Sequence, residues 1–389
     1  MPLAGRTIII ASAIPWEGDR HREHEIAALL SETCPVVFLE PPPTRHVNAP
    51  TPASAPGGAA LWTEVITPAL SVARPGSGPW PGASLCAVAN DHNRRAIARR
   101  LREQLVLTGE TTTILWVNEA AAASYIGRMG ESLVVYDAAD EAWAFSRHPL
   151  RRRLLKAYET RVTREADLVF ASSEPLYEQK LPLNPHTHLA VNAVDYEHFA
   201  SASAAPADAP VFIGFVGATL LKRTDYDLLV HIATQRPAWR VELVGPTQWP
   251  RRLPRPANLD CLGRRPYADL PEIMSRHSVC LIPYHPTGEL SYIHPKKLFE
   301  YLAAGKPIVA TDMPALRPYE GLVKIGRTPA EFLAKVEDCL AENRDPVRSA
   351  ALIEARRTLA RGHSWRQRVE EMVVILEAAL DERAQASRG

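Results

Sequence analysis

Short runs of apolar residues, separated by segments with helical periodicity, recur along most of this chain. Continuous apolar runs of four or five residues predict strands that are buried on both faces, as in a parallel sheet covered by helices. In the first half, strands are predicted at 7–11, 36–39, 113–117, 133–136 and 168–171, and helices at 22–31, 91–106 and 149–166. This alternation indicates an α/β domain.

The run 200–210 is rich in Ala, Ser and Pro, which is typical of a linker. The pattern then restarts, with strands predicted at 211–216, 241–244, 279–283 and 307–311 and helices at 267–276, 329–343 and 365–380. We therefore predict two doubly wound, Rossmann-like domains facing across a cleft. The predicted boundaries are 1–200, 201–362 and a C-terminal helical segment, 363–389, that packs back on the first domain. In such sheets ligands bind outside the carboxyl ends of the strands.

The segment HPKKLFEYLAAGKPIV, residues 294–309, predicts a short helix that leads into a buried strand. Unpaired amides near Pro295, together with the helix dipole, favour an anion, and Lys297 adds a positive charge. Glu300 lies on the same helix face as Lys297 and can accept two hydrogen bonds from a diol. The pattern suits a phosphorylated ligand with hydroxyl groups. The alternative is a plain amphipathic helix in which Glu300 is solvated or paired with Lys297.

The net charge and the cysteine and histidine content of the chain argue against several classes of function. The net charge of +1 over 389 residues argues against a general nucleic-acid binder. Five cysteines without a CxxC pair argue against a zinc site or a disulfide framework, and the thirteen histidines form no ligand spacing, so we expect free thiols, a cytoplasmic protein and no metal. No stretch approaches the roughly 18 apolar residues of a membrane span. The basic run at 151–156 favours a solvated helix face over peripheral contact with anionic lipid.

Dinucleotide and P-loop fingerprints are missing, since neither GxGxxG after the first strand nor GxxxxGK[ST] occurs. Other motifs, taken in order, resemble those of retaining GT-B glycosyltransferases of the family-four group (group 1), and most closely the teichuronic-acid-type branch. The matching segments are YDAADE at 136–141, ADLVFASS at 166–173, NAVDYEHF at 192–199, GFVG at 214–217, LVGP at 243–246, LGRRPYADLP at 262–271 and EYLAAGKPIVAT at 300–311.

This resemblance implies transfer of a hexosyl-type sugar from a nucleoside-diphosphate sugar, with a UDP-sugar favoured, to an acceptor hydroxyl with retention of configuration. The implied setting is cell-surface glycan or natural-product biosynthesis, with no cofactor and no metal. It also implies that the first domain binds the acceptor and the second binds the donor. Two alternatives remain: a GT-B-type nucleotide-sugar epimerase, or a non-catalytic nucleotide-binding protein of this fold.

The donor residues follow from the matched positions. Glu300 corresponds to the residue that binds the ribose, and Gly217 to the glycine that lets the backbone approach the diphosphate. Gly263 and Arg264 fall where the base packs. The remaining predicted donor contacts lie in the loop and turn before the helix: Tyr284, Tyr292, His294 and Pro295.

The chain departs from the family pattern at two places. The family's first glutamate is replaced by Tyr292, and its usual arginine by Ala218. We therefore predict that Lys297, with Lys222 or Arg223, stabilises the leaving diphosphate.

Acceptor residues are predicted at the strand ends of the first domain: Trp16, Arg22, His24, Asn118 and Asp137. Asp140 is predicted to orient the acceptor hydroxyl or to receive its proton. The alternative for Asp140 is a helix N-cap before Glu141. For His24, a packed or surface helical residue is the favoured alternative.

Overall fold

The computed structural model describes residues 3, 5–18, 20–41, 61–75, 87–107, 113–141, 143, 146, 148–203, 210–285 and 293–386. The chain divides into two compact units. The first comprises Met1–Val191 and Val369–Gly389, and the second comprises Asn192–Arg368. Most of the predicted linker, 204–209, lies outside the described residues.

The first unit is built on a sheet of eight strands in the order β3-β4-β2-β1-β5-β6-β7-β8. All neighbours pair in parallel except the edge strand β3, which is antiparallel to β4. The strands are β1 (Thr7–Ala11), β2 (Val36–Leu39), β3 (Leu61–Thr67), β4 (Leu70–Pro75), β5 (Thr113–Val117), β6 (Glu131–Ala138), β7 (Leu168–Ala171) and β8 (Thr187–Leu189). The central strands β1, β2, β5 and β7 are fully buried and mostly apolar, as is typical of a parallel sheet covered on both faces.

The described helices of this unit include α1 (Arg22–Leu30), α2 (Ala87–Leu107), α3 (Pro149–Glu165) and α4 (Glu174–Lys180). A 3₁₀ helix, Ala120–Tyr125, follows β5. One face of the sheet packs on α2 and α3 through buried side chains that include Ile9, Leu115, Leu101 and Val162. The topology therefore leaves the loops after β1, β5 and β6 side by side at the carboxyl edge.

The second unit contains a fully parallel sheet of six strands in the order β11-β10-β9-β12-β13-β14. The strands are β9 (Phe212–Val216), β10 (Arg240–Val244), β11 (Leu259–Gly263), β12 (Val279–Ile282), β13 (Ile308–Thr311) and β14 (Val323–Gly326). The chain order reverses between β9 and β12, and ligands of doubly wound sheets bind at the carboxyl side of such a switch point.

The helices of the second unit are α5 (Tyr196–Ala200), α6 (Tyr226–Gln235), α7 (Leu270–Ser275), α8 (Lys297–Ala303), α9 (Pro329–Asn343) and α10 (Pro346–Arg361). A last helix, α11 (Trp365–Ala386), begins in the second unit and ends in the first. None of the helices in the described part of the chain combines the length and the apolar character needed to cross a membrane.

Candidate functional site

Three strands of the second unit end in glycines with positive φ angles: Gly217 (+139°), Gly245 (+132°) and Gly263 (+69°). The amide of Gly217 donates to the carbonyl of Val244 at 2.7 Å, and that of Gly245 to Gly263 at 2.8 Å. A Cβ on Gly245 would lie 2.4 Å from the carbonyl oxygen of Gly217. These strand ends therefore form a closely spaced backbone surface in which the glycines themselves contribute no side chain.

Lys297 lies directly over this surface. It is the first residue of α8, and its Nζ would be 3.1 Å from a Cβ placed on Gly217. Nζ donates to the hydroxyl of Tyr284 at 2.6 Å and lies 4.9 Å from the centre of the Phe215 ring. Tyr284 follows β12 and Gly217 follows β9, so an ammonium group is held between the two strands of the switch point.

Tyr301 fixes the position of α8, and the sequence analysis missed this residue. Its buried hydroxyl accepts the amide hydrogen of Val216, at the end of β9, at 2.8 Å. The burial of Tyr301 raises its pKa well above the ordinary value, so it stays a neutral hydrogen-bonding group. The position of Tyr301 directly after Glu300 in the motif could have indicated this role, but an apolar ring at this position is equally typical of the core.

Glu300 is 9% exposed and lies one turn into α8. Its cationic neighbour is Lys296, whose Nζ is 3.5 Å from Oε1, whereas Lys297 points to Tyr284. The alternative of a plain amphipathic helix included an ion pair between Glu300 and Lys297. The structure instead pairs Glu300 with Lys296. Lys296 also lies 6.0 Å from the centre of the Tyr267 ring.

Backbone hydrogen bonds begin one residue after the segment 295–297 in which free amides are predicted. The amides of Leu298 and Phe299 donate to the carbonyls of Pro295 and Lys296 at 3.0 and 3.2 Å. His294 is buried, and its ring stacks on Phe299 at a centroid distance of 5.3 Å. The structure thus places His294 in an aromatic cluster with Phe299.

The other predicted donor residues lie in neighbouring loops. Lys222 is exposed and Arg223 half-buried in the loop after β9, where the carbonyl of Arg223 accepts from the amide of His285 at 2.9 Å. Arg264 is exposed just after β11. Tyr292 lies outside the described residues.

In the first unit, Arg22 and Asp137 form a buried, forked ion pair. Nε and Nη2 of Arg22 donate to Asp137 at 2.9 to 3.0 Å, and Asn118 Nδ2 donates to Asp137 Oδ2 at 2.9 Å. Both oxygens of Asp137 are therefore engaged by groups of the chain itself. The three predicted acceptor residues come together, but in a mutual network.

His24 and Trp16 pack beside this network. The amide of His21 donates to His24 Nδ1 at 3.0 Å, and His24 Nε2 lies 3.1 Å from the carbonyl of Pro15. The ring stacks on Phe38, and burial lowers the pKa of His24 to about 4, so it is neutral at pH 7. This geometry fits the favoured alternative, a packed helical residue.

Asp140 is exposed in the segment after β6, and the next helix of the described chain, α3, begins at Pro149 with His148 as its N-cap. The cap alternative for Asp140 is therefore not the arrangement found. The adjacent Glu141 is fully buried and paired with Lys180 at 2.6 Å.

The sequence analysis missed Glu23, which lies in the first turn of α1. The burial of Glu23 raises the pKa of its carboxyl group to about 7.

Comparison with known proteins agrees with this architecture. Residues 223–373 match the family model described as glycosyl transferase-like. TuaH of Bacillus subtilis (strain 168), named for teichuronic acid biosynthesis as a glycosyltransferase, is 30% identical over 258 residues, 60% of this chain and 64% of that protein. The chain thus spans less than two thirds of this relative's length.

Solved structures share the fold at low identity. Sucrose-phosphate synthase from Thermosynechococcus elongatus has a TM-score of 0.71 at 15% identity, covering 97% of this chain and 100% of that one. Anabaena HepE, solved with UDP and glucose, has a TM-score of 0.67 at 13% identity, covering 94% and 99%. These findings confirm the predicted fold: the chain has the GT-B fold of these solved structures, and its sequence is similar to the glycosyl transferase-like family model and to TuaH, a protein of the predicted teichuronic-acid-type branch.

Proposed function

We propose that this protein transfers a hexosyl-type sugar from a nucleoside-diphosphate sugar to an acceptor hydroxyl, with retention of anomeric configuration. The observation that carries the proposal is the Lys297 ammonium held over the Gly217 backbone at the switch point of the second sheet. A cation beside a backbone surface of glycines suits a diphosphate. Glu300, one turn further along α8, suits the ribose diol of the same ligand.

We assign the donor contacts accordingly. Lys297, assisted by Lys222 or Arg223, stabilises the charge that grows on the diphosphate as the sugar–phosphate bond loosens. Glu300 accepts hydrogen bonds from the ribose, while Gly263 and Arg264 border the base. In this proposal the positive charge comes from side chains and not from a resident cofactor.

A UDP-sugar donor is favoured within this proposal. HepE, which shares the fold, was solved with UDP and with UDP-glucose. The sequence similarity to TuaH supports a role in cell-surface glycan synthesis, with natural-product synthesis as the other setting. The acceptor is expected to be a hydroxyl compound that meets the first unit.

A thermal-shift screen with UDP, dTDP, GDP and their sugars tests the donor site, because a ligand that binds the folded state raises its stability. We expect one nucleotide series to raise the melting temperature. Glu300→Gln should lower the affinity for that nucleotide by about tenfold, which corresponds to the loss of one hydrogen bond to a charged group. Lys297→Met should lower turnover by about 100-fold, the scale for losing one group that stabilises developing negative charge.

Lys335→Met is the matched control, since Lys335 is a partly exposed lysine of the same unit on α9. It should leave nucleotide binding and turnover unchanged. The absence of a shift with every nucleotide, or unchanged kinetics in Lys297→Met, would overturn the proposal. Product analysis with and without an acceptor separates the transferase from an epimerase, which needs no acceptor.

A further inference from the structure

Two lysines stand at the start of α8, and their charges have different surroundings. Lys296 lies 3.5 Å from the carboxylate of Glu300, which compensates its charge. Lys297 is half-buried, and among the described residues it forms no salt bridge. Its Nζ donates instead to the hydroxyl oxygen of Tyr284 at 2.6 Å. Charged groups that leave water are normally paired with an opposite charge. The ammonium of Lys297 is an exception, so its charge remains available to a ligand.

Two aromatic rings take the place that a carboxylate would otherwise have beside Lys297. Nζ lies 4.9 Å from the centre of the Phe215 ring and 5.2 Å from that of the Tyr284 ring, distances at which a ring attracts a cation. The two rings, which we call the aromatic clamp, lie 6.3 Å apart at an angle of 61°. Because a ring carries no net charge, the clamp attracts the ammonium without neutralising it.

The clamp is rigidly held by the second sheet. Phe215 belongs to β9, and both clamp residues are buried. Tyr284 forms an antiparallel bridge with Thr224, in the loop that follows β9. The residues directly before and after Tyr284 also hydrogen-bond to the backbone of that loop, at 2.8 and 2.9 Å. A side chain that is packed and whose backbone is tied on both sides has few other positions, so the Tyr284 hydroxyl is a fixed point for Nζ.

The glycine at the end of β9 leaves the space into which the clamp directs the lysine. A Cβ on Gly217 would lie 3.0 Å from Cε and 3.1 Å from Nζ of Lys297. It would also lie 3.7 Å from the Phe215 ring. The glycine and the clamp together therefore define one location for the ammonium, directly beside the backbone at the switch point.

We propose that Tyr284 is a positioning residue that, with Phe215, holds the charged Lys297 ammonium beside Gly217, and that it acts on the donor diphosphate through Lys297. This inference rests on the proposed function of the site. It differs from the direct donor contact that the sequence suggested for Tyr284. A cation that is already in place stabilises the charge that develops on a leaving diphosphate, because it needs no reorganisation during the reaction.

A double-mutant cycle tests the proposal, with hydrolysis of UDP-glucose, or of the nucleotide sugar that raises the melting temperature, as the assay. Tyr284→Phe keeps the ring and removes the hydrogen bond to Nζ. It should lower kcat by about tenfold, the scale for losing one hydrogen bond to a charged group. KM should not change, because the ammonium still attracts the bound diphosphate. In a Lys297→Met background, Tyr284→Phe should have no further effect on kcat.

Tyr226→Phe is the matched control. Tyr226 is a buried tyrosine of the same unit, and its hydroxyl donates to the carbonyl of Thr219 at 2.7 Å, a hydrogen bond that does not involve Lys297. Its variant should keep the unmodified kcat. Phe215→Leu, which removes the other ring of the clamp, should lower kcat by about threefold, the scale of one cation–π contact. The melting temperature of each variant without nucleotide shows whether it is folded.

The outcomes separate the positioning role from the function of the site. An unchanged kcat in Tyr284→Phe overturns the role of Tyr284. An equal loss of kcat with and without Lys297 also overturns it, because the hydroxyl would then act independently of the lysine. A raised KM at unchanged kcat would indicate a direct donor contact instead. If UDP binds normally, each of these results leaves the donor site standing, whereas a protein that binds no nucleotide overturns both proposals.

Discussion

The carboxyl edges of the two sheets, both built mainly from parallel strands, differ in their chemistry. At the edge of the second sheet, three strands end in glycines, and a lysine lies over their backbone. At the edge of the first sheet, the strand ends carry side chains that pair with one another, such as Arg22 with Asp137 and Arg74 with Glu40. One edge presents glycine backbone beside a lysine, and at the other edge charged side chains pair with one another.

This contrast shows that a doubly wound sheet determines where a ligand can bind but not which ligand binds. Glycine backbone beside a cation suits an anion. At the edge of the first sheet, charged side chains such as Arg22 and Asp137 are already paired within the protein. The following three substitutions test whether the paired groups hold the fold and whether the glycines hold the ligand.

The largest effect is expected from Asp137→Asn, which leaves the buried guanidinium of Arg22 without its counter-charge. Removing one partner of a buried ion pair costs about 3–5 kcal/mol of unfolding free energy. Denaturant unfolding measures the loss. Asp260→Asn is the control, since its pair with Arg240 is exposed and should cost less than about 1 kcal/mol. Equal losses in the two variants would contradict a structural role for Asp137.

Gly245→Ala should have an intermediate effect. The added Cβ would lie 2.4 Å from the carbonyl oxygen of Gly217, at a φ angle of +132° that L-residues rarely adopt. The strain is about 1–3 kcal/mol. We expect a lower melting temperature and a smaller shift with nucleotide. Gly321→Ala, with nothing within 4 Å of its Cβ, should leave both unchanged. Full nucleotide binding in Gly245→Ala would refute the backbone surface as the diphosphate site.

The smallest effect concerns the pH dependence of stability. Burial raises the pKa of Glu159 to about 7, although its ion pair with Lys180 opposes the increase. Since the folded state then binds this proton more tightly than the unfolded state, the contribution to stability is present below pH 4.5 and is lost as pH rises through 7. Glu159→Gln should flatten this decrease by about 1 kcal/mol or more between pH 5 and 8.

Thermal melts across that pH range measure the slope for Glu159→Gln beside Glu337→Gln. Glu337 is an exposed glutamate paired with Arg236, and its variant should retain the unmodified slope. A Glu159→Gln slope equal to that of the unmodified protein would show that other groups control the pH dependence.

Several elements match the sequence prediction to the residue, including β1, β2, β5, β7 and α9. Each has a strong local pattern, either a continuous apolar run or a capped amphipathic helix. Strand β8, Thr187–Leu189, and the β3–β4 hairpin escaped prediction. Short strands near a sheet edge carry little apolar pattern of their own and form because a neighbouring strand supplies the hydrogen bonds.

The candidate site shows the same limit. The motif helix and the importance of Lys297 and Glu300 could be inferred locally, but the partner of Glu300 proved to be Lys296. Both lysines are within reach of Glu300 along the helix, so spacing alone could not choose between them. Tyr284, which receives the hydrogen bond of Lys297, comes from a different strand end.

The sequence by itself determined the α/β fold class, the positions of most central strands and the helix that carries Lys297 and Glu300, because apolar periodicity and local motifs specify these features. Only the tertiary structure decided which charged side chains form ion pairs within the protein and which do not. Arg22 and Asp137 are 115 residues apart, and Glu23 differs from its neighbour Glu25 only in what the fold places beside it. Burial and pairing depend on contacts that are distant in the chain, and these contacts set the chemistry of each carboxyl group.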